Sequence, residues 1–439
     1  MNETTPPFPT GEGTFVPPEP RTIDDTGLGL GFLSDLALKI LYYQSNVTGA
    51  EIADRMRLPF SNVVEPILEF LKRELLIEIK GAGGLAQASY QYAITDKGIA
   101  RAHSILDRSQ YVGPAPVPLA IYNDGIRRQP MMTRSVREQT LRQAAAHLVL
   151  GDAMIDRLGP ALNSGRSIFL YGAPGNGKTV IAESIGQVVL GAEMYIPHAV
   201  EVGGMVIKLY DVVNHTLAPE PPPTDANNHR ALRPRYDRRW LRIKRPVITT
   251  GGELTLEVLD LVWDDTSKYY EAPFQMKANG GMFLIDDFGR QQVRPRDLLN
   301  RWVVPLEKRW DYLTLHTGQK IEVPFEVLIV FSTNLEPRDL VDEAFLRRIR
   351  HKIEIDNPTF EEFREIFRRE CTNRRIPFDE ESLRYLLQEF YIKPDKPVRA
   401  CHPRDLLDEI VDISRYWGVA PALSKELIDR ACEAYFVEL

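Results

Sequence analysis

Eight residues, Gly172-Ala173-Pro174-Gly175-Asn176-Gly177-Lys178-Thr179, carry the most specific chemical signal in this chain. Glycines at these spacings let the backbone curl until its N–H groups face the β- and γ-phosphates of a nucleotide. Lys178 would neutralise phosphate charge, and the Thr179 hydroxyl would ligate Mg²⁺. The flanks suit that purpose. Ile168-Phe169-Leu170-Tyr171 reads as a short buried strand, while Val180, Ile181, Ile185, Val188 and Val189 fall on one face of a helix whose positive end meets the anion. Val180 opens that helix and joins the binding set.

A phosphate cradle needs an acid for the metal and another to orient water. Met282-Phe283-Leu284-Ile285-Asp286-Asp287 supplies an apolar strand ending in two carboxylates. Asp286 is the expected Mg²⁺ residue and Asp287 the expected water-polarising one.

These two motifs together resemble the AAA+ ATPases, and the resemblance covers most of the chain from Ser135 to the carboxy terminus. It implies an α/β nucleotide-binding core with a P-loop parallel sheet, followed by an all-α lid. That family usually has Glu where this chain has Asp287, one methylene shorter, which puts efficient hydrolysis in question. Asn334, after the buried-type strand Phe325 to Thr333, resembles sensor 1. In Asp342-Glu343-Ala344-Phe345-Leu346-Arg347-Arg348-Ile349, Arg347 and Arg348, with Arg350 behind them, resemble arginine fingers that reach a neighbouring subunit's ATP. Arg404, in His402-Pro403-Arg404-Asp405, resembles sensor 2, with Arg399 as the fallback.

Two further stretches narrow the branch. Ala278-Asn279-Gly280-Gly281 is similar to segments in MoxR-like ATPases and enhancer-binding activators, and Thr314 to Ile321 reads as a hairpin turning near Thr317-Gly318. Both resemble the presensor-1 hairpin branch. No GAFTGA-like loop and no HExxH motif is present in the sequence.

Positioning these residues requires several units, and 439 residues are too many for one compact core. Residues 1–25, rich in Pro, Thr, Gly and acids, read as a disordered tail. Residues 26–110 read as three helices and a two-stranded wing, a winged-helix-like domain; Thr48 to Glu51 has capping-box spacing, and Ser61 is the expected cap of the third helix. Residues 111–134 read as a proline-bearing linker, 135–355 as the α/β domain, and 356–439 as the α-helical lid. Leu217 to Tyr236 reads as a surface insertion.

Charge and composition limit the partners. The formal charge of −7 argues against wholesale affinity for nucleic acid or anionic membrane. Three scattered cysteines make neither a disulfide framework nor a zinc site. The start MNETTPPFPT lacks the basic and apolar regions of a secretory signal, so a cytoplasmic location without membrane contact is expected. In the winged-helix-like domain nine cations are matched by nine acids, which favours protein docking over DNA. Arg230, Arg233, Arg235, Arg238, Arg239, Arg242, Lys244 and Arg245, with Tyr236 and Trp240 between them, form the alternative, a nucleic-acid surface over residues 230–245. Tyr269 and Tyr270 are possible pore-loop aromatics.

The expectation is therefore an ATP- and Mg²⁺-dependent ATPase that remodels protein complexes as a homo-oligomer, a hexameric ring in form. A nucleic-acid loader or regulator is the first alternative, and a non-hydrolysing ATP switch the second.

Overall fold

A computed structural model describes residues 15–44, 46–82, 84, 86–131, 136–189, 193–219, 236–340 and 346–436. The apolar runs of the central region become five strands: β1 (Ile168–Tyr171), β2 (Val247–Thr250), β3 (Met282–Ile285), β4 (Leu328–Thr333) and β5 (His351–Glu354). They form one parallel sheet in the order β2-β3-β4-β1-β5. Both faces are covered, which is why these strands read as continuous apolar runs. Leu170, Leu284 and Val330 pack on one face with Ile181 and Ile185 of helix α1 (Lys178–Val189). Phe169, Ile285 and Phe331 pack on the other with Trp302. The chain leaves β1 for β2 at one edge of the sheet and later crosses from β4 past β1 to β5 at the other edge, and this reversal of direction beside β1 opens a crevice beyond the carboxyl ends of the strands.

A second sheet was hidden in the sequence. Strands 262–264, 269–271, 205–208, 199–202 and 117–118 pair in that order, beside the ribbon of Glu193–Pro197 with Trp240–Lys244. Trp310–Thr314 and Lys320–Pro324 form an antiparallel hairpin before β4, with Gly318 at φ +83 in its turn. Tyr122, Ile196, Ile207, Tyr270, Leu313 and Val323 share one core in this β-rich unit. Between residues 193 and 333 the chain thus alternates between strands of this β-rich unit and strands of the parallel sheet.

This unit corrects three expectations. The linker expected at 111–134 is built into the fold in its described part: Val117–Pro118 pairs with the second sheet, and Leu119–Arg127 is a helix whose Tyr122 and Ile126 are fully buried, while 132–134 lie outside the described residues. Prolines fit there because an edge strand and a helix start each tolerate a missing N–H. The tail expected through residue 25 ends sooner, since Phe15 packs edge-on against Trp240 at 5.7 Å and Pro17 O accepts from Asp237 N at 2.9 Å. Tyr270 is buried and bonded to His316, and Tyr269 packs on Tyr111 at 5.8 Å, so neither is a displayed pore aromatic. Of the Leu217 to Tyr236 insertion, Leu217 bridges to Ile243, and 220–235 lie outside the described residues.

The basic cluster is largely structural where it is described. Arg239 is 1% exposed, paired with Asp237 and donating to Thr26 O and Pro116 O at 2.8 and 3.2 Å. Arg245 is buried against the carbonyls of Gln129, Gly280 and Pro130, and burial pushes its pKa down to about 10. Arg238 pairs with Asp54, Arg242 pairs with Glu193, and Trp240 is buried. A run of arginines looks like a solvated face in sequence; folded, much of it staples backbone carbonyls. Arg230, Arg233 and Arg235 lie outside the described residues.

Asn279 explains the segment ahead of β3. Its Nδ2 donates to Tyr122 Oη and Pro324 O, both at 2.9 Å, while Oδ1 accepts from Glu326 N at 2.9 Å. It welds the β-rich unit to the parallel sheet. A Cβ on Gly281 would collide with the Pro246 carbonyl, so only glycine lets β2 and β3 approach there.

The amino-terminal module runs helix Leu30–Tyr43, strand Val47–Thr48, helices Gly49–Met56 and Glu65–Arg73, hairpin Ile77–Ala82 with Tyr90–Ile94, and helix Asp96–Leu106. Thr48 and Glu51 form the capping box. Ser61 caps nothing: it and Asn62 are non-helical, and the third helix begins at Glu65 with Pro66 in its first turn. Lys39 is buried in this module and donates to Ser109 O at 3.2 Å. Burial pushes its pKa down to about 8, with Asp35 opposing the shift and Arg108 reinforcing it. The unfolded chain then binds more protons than the folded one between pH 8 and the ordinary lysine value, so stability rises with pH across that window. The cost of the buried ammonium below pH 8 is about 3 kcal/mol. Lys39→Met should therefore gain in melting temperature over wild type at pH 7 and lose that gain by pH 10.5; a difference independent of pH would contradict this.

The carboxy-terminal region is helical, with Phe363, Phe367, Tyr391, Leu406, Leu407 and Ile428 in one core. Among the described residues no helix is long and apolar enough to cross a membrane.

Candidate functional site

The loop from Gly172 to Gly177 joins β1 to α1 at the carboxyl end of the sheet. Gly175 and Gly177 sit at φ +83 and +75, a region side chains disfavour. Among the described residues their N–H groups meet no acceptor, as an anion cradle at a helix start requires.

Lys178 Nζ is held by three oxygens: Gly172 O and Ala173 O at 2.9 Å, and Asn334 Oδ1 at 2.6 Å. Burial lowers its pKa, with Asp286 and Asp287 acting against the shift and Arg399 with it. Thr179 Oγ1 donates to Asp286 Oδ2 at 2.8 Å. Asn334 Nδ2 lies 3.5 Å from Asp287 Oδ1. Lys178 and Asn334, 156 positions apart in the chain, are thereby brought to one point.

The turn after β3 fixes both carboxylates. Asp286 N donates to Thr250 O at 2.8 Å, and Phe288 N to Ser332 O at 2.7 Å, tying the turn to strands on either side. Gln291 braces it, donating to Asp286 O at 2.8 Å and accepting from Gly289 N at 2.7 Å. Asp287 has φ +49. Among residues with a side chain, Asp and Asn enter this left-handed region most readily, which gives a local reason for Asp at this position.

A cavity of ≈ 810 Å³ lies over these groups. Pro174 to Val180, Asp286, Asp287 and Asn334 line it, and Arg404 of the helical region does too, exposed and paired with Asp405. Gly172 and Ala173 act through the carbonyls that hold Lys178. Arg399 lies beside Gly175 but is not part of the lining. Arg347 is exposed and Arg348 pairs with Glu307 at 2.6 Å; neither lines the cavity.

Sequence reasoning missed the rest of the wall. Leu148, Val149, Leu150 and Ile366 make an apolar side, and Arg369 from the helical region donates to Ala146 O and Leu148 O at 2.8 and 3.2 Å. No spacing marks these residues, because they converge from two segments. The helical region also touches the loop directly. Cys401 N donates to Gly175 O at 2.8 Å, and Asn176 bridges Asn357 Oδ1 at 2.9 Å to Ala400 N at 3.3 Å.

The residues fit a nucleoside triphosphate with Mg²⁺: open N–H groups at a helix start, one ammonium, a hydroxyl with a carboxylate for the metal, and an apolar slot for a base. The architecture is that of a P-loop α/β protein with a helical carboxy-terminal region. A domain of unknown function, DUF8689, matches residues 359–434. The chain matches none of the curated proteins. Among solved structures it is similar to NtrX from Brucella abortus, at 13% identity and TM-score 0.41, over 69% of this chain and 60% of that one. The ATP complex of NtrX gives 12% identity and TM-score 0.38, with 69% and 54% covered. RuvB of Thermotoga maritima gives 14% identity and TM-score 0.40, with 68% and 74% covered. The chain thus spans about 60% of the length of NtrX. The chemistry of the site rests on its own geometry.

Proposed function

We propose that this chain is an AAA+ ATPase: it binds ATP with Mg²⁺ in the loop of Gly172 to Thr179, hydrolyses it with Asp287 and Asn334, and works as a homo-oligomeric ring that remodels protein complexes. The observation that carries this reading is the joined pair of contacts, Lys178 to Asn334 and Thr179 to Asp286. A phosphate ligand, a metal ligand pair and a water-orienting pair then stand together at a helix start. Mg²⁺ supplies charge neutralisation at the phosphates when bound. Thr179 and Asp286 would hold it, Lys178 would exchange its carbonyl partners for phosphate oxygens, and Asp287 with Asn334 would orient a water.

Arg347 and Arg348 lie off the cavity of their own subunit, which suits action in trans on a neighbour's ATP. Arg404 in the cavity wall suits a lid that senses the nucleotide of its own subunit. The hairpin of Trp310 to Pro324 ahead of β4 supports the presensor-1 branch, and the helix, strand and hairpin order of residues 30–106 supports a winged-helix module. Because Arg238, Arg239, Arg242 and Arg245 of the basic cluster are occupied by internal partners, the protein-docking reading is preferred over the nucleic-acid one.

The assembly half has a direct test. Lys178→Ala and Arg347→Ala with Arg348→Ala should each be inactive alone. Mixed together they should regain phosphate release, because intact cradles then meet intact arginines across a boundary. Two inactive pools that stay inactive after verified co-assembly would remove the trans role.

A further inference from the structure

Among the described residues, one hydroxyl in the site has no partner. Ser332 lies on β4, is 1% exposed, lines the cavity, and its Oγ meets no hydrogen-bonding group. A buried hydroxyl left in this state is costly, and such orphans call for a water or an ion that completes them.

Register says where this side chain points. Ile285 pairs with Phe331 in parallel strands, so Ser332 continues the ladder opposite Asp286, and Ser332 itself pairs with Leu170. Paired residues in neighbouring strands project to the same face. Leu328, Val330, Leu284 and Leu170 all belong to the layer that packs on α1. Ser332 therefore ends that stripe on the side of the sheet that carries Thr179 and Asp286, the two groups already bonded to each other. Thr250 is the contrast. Its hydroxyl is also unpartnered among the described residues, but it sits in register with Ile285, two residues along β2 from Ile248, on the face packed with Phe283 and Trp302, and it does not line the cavity.

We infer that Ser332 Oγ hydrogen-bonds the hydration shell of the nucleotide's divalent cation, as a third protein group of the metal site beside Thr179 and Asp286. This rests on the ATP–Mg²⁺ reading and extends it. A serine hydroxyl both donates and accepts, so it can serve a metal-bound water while Asp286 keeps its bond to Thr179.

The test uses the full chain, ATP, Mg²⁺ and EDTA. Ser332→Ala should bind ATP in EDTA as wild type does, yet need about 10-fold more Mg²⁺ for half-maximal tightening of ATP binding. Without nucleotide its melting temperature should equal or exceed that of wild type, because an orphan hydroxyl has been removed. Thr250→Val should leave the Mg²⁺ requirement unchanged, and Ser332→Thr, which keeps a hydroxyl, should restore most of it. An Mg²⁺ requirement in Ser332→Ala equal to wild type, with ATP still bound, overturns this inference alone. Wild type that binds no ATP under any metal condition overturns the nucleotide reading, and this inference with it.

Discussion

Lys178→Ala should lose ATP affinity by on the order of 100-fold, the loss expected when a charge-assisted contact to phosphate is deleted. The ammonium already sits among three oxygens within 2.9 Å, so its position is set before any ligand arrives. Truncation also leaves the Gly172 and Ala173 carbonyls and Asn334 without that donor, so the melting temperature must be recorded beside the titration. A variant that keeps its fold and loses ATP supports the cradle; one that keeps both refutes it. The acidity of this lysine adds a second signature. Because burial lowers its pKa, the charged form is lost at a lower pH than for an ordinary lysine. ATP affinity of wild type should accordingly fall as pH rises, beginning below the ordinary lysine titration, and Lys178→Arg should flatten that fall.

Asp287→Asn should bind ATP within about 3-fold of wild type and release phosphate at least ~100-fold more slowly, the usual scale for removing a group that takes or orients a proton. Asn keeps the left-handed backbone that Asp287 adopts at φ +49, and it keeps the neighbourhood of Asn334. Loss of turnover would therefore report the carboxylate and not a collapsed turn. Asp287→Glu sharpens the comparison: it keeps the charge and adds one methylene but strains the left-handed backbone, so turnover should lie between those of wild type and Asp287→Asn. If assembled wild type releases no phosphate, the chain is an ATP-binding switch and the remodelling reading fails. If Asp287→Asn turns over normally, another group handles the water.

Local chemistry explains why the phosphate loop, the paired carboxylates and Asn334 are legible in the amino-acid sequence. Each follows an apolar strand and uses residue types that few other roles require in that order. The helices of the carboxy-terminal region are legible too, since Thr359 and Glu362 form a capping box before a periodic helix. Polar and proline-rich segments mislead, because in sequence they resemble surface. Residues 111–134 read as a linker because Pro114, Pro116, Pro118 and Pro130 interrupt a pattern, yet Tyr122 is buried and bonded to Asn279. Arg239 reads as solvated charge, yet it lies inside a pair with Asp237.

Covalent neighbours and short periods determined the phosphate loop, the strand and helix that flank it, and the two carboxylates, because a turn, a strand face and a helix face are set within a few residues. Partners far apart in the chain decided everything else. The second sheet collects strands from residue 117 to residue 271, the cavity wall joins Leu148 to Ile366, and the fate of each arginine depends on which carbonyl or carboxylate folding delivers to it. A pattern can state that a side chain is polar or apolar, but only the packed chain fixes what it touches.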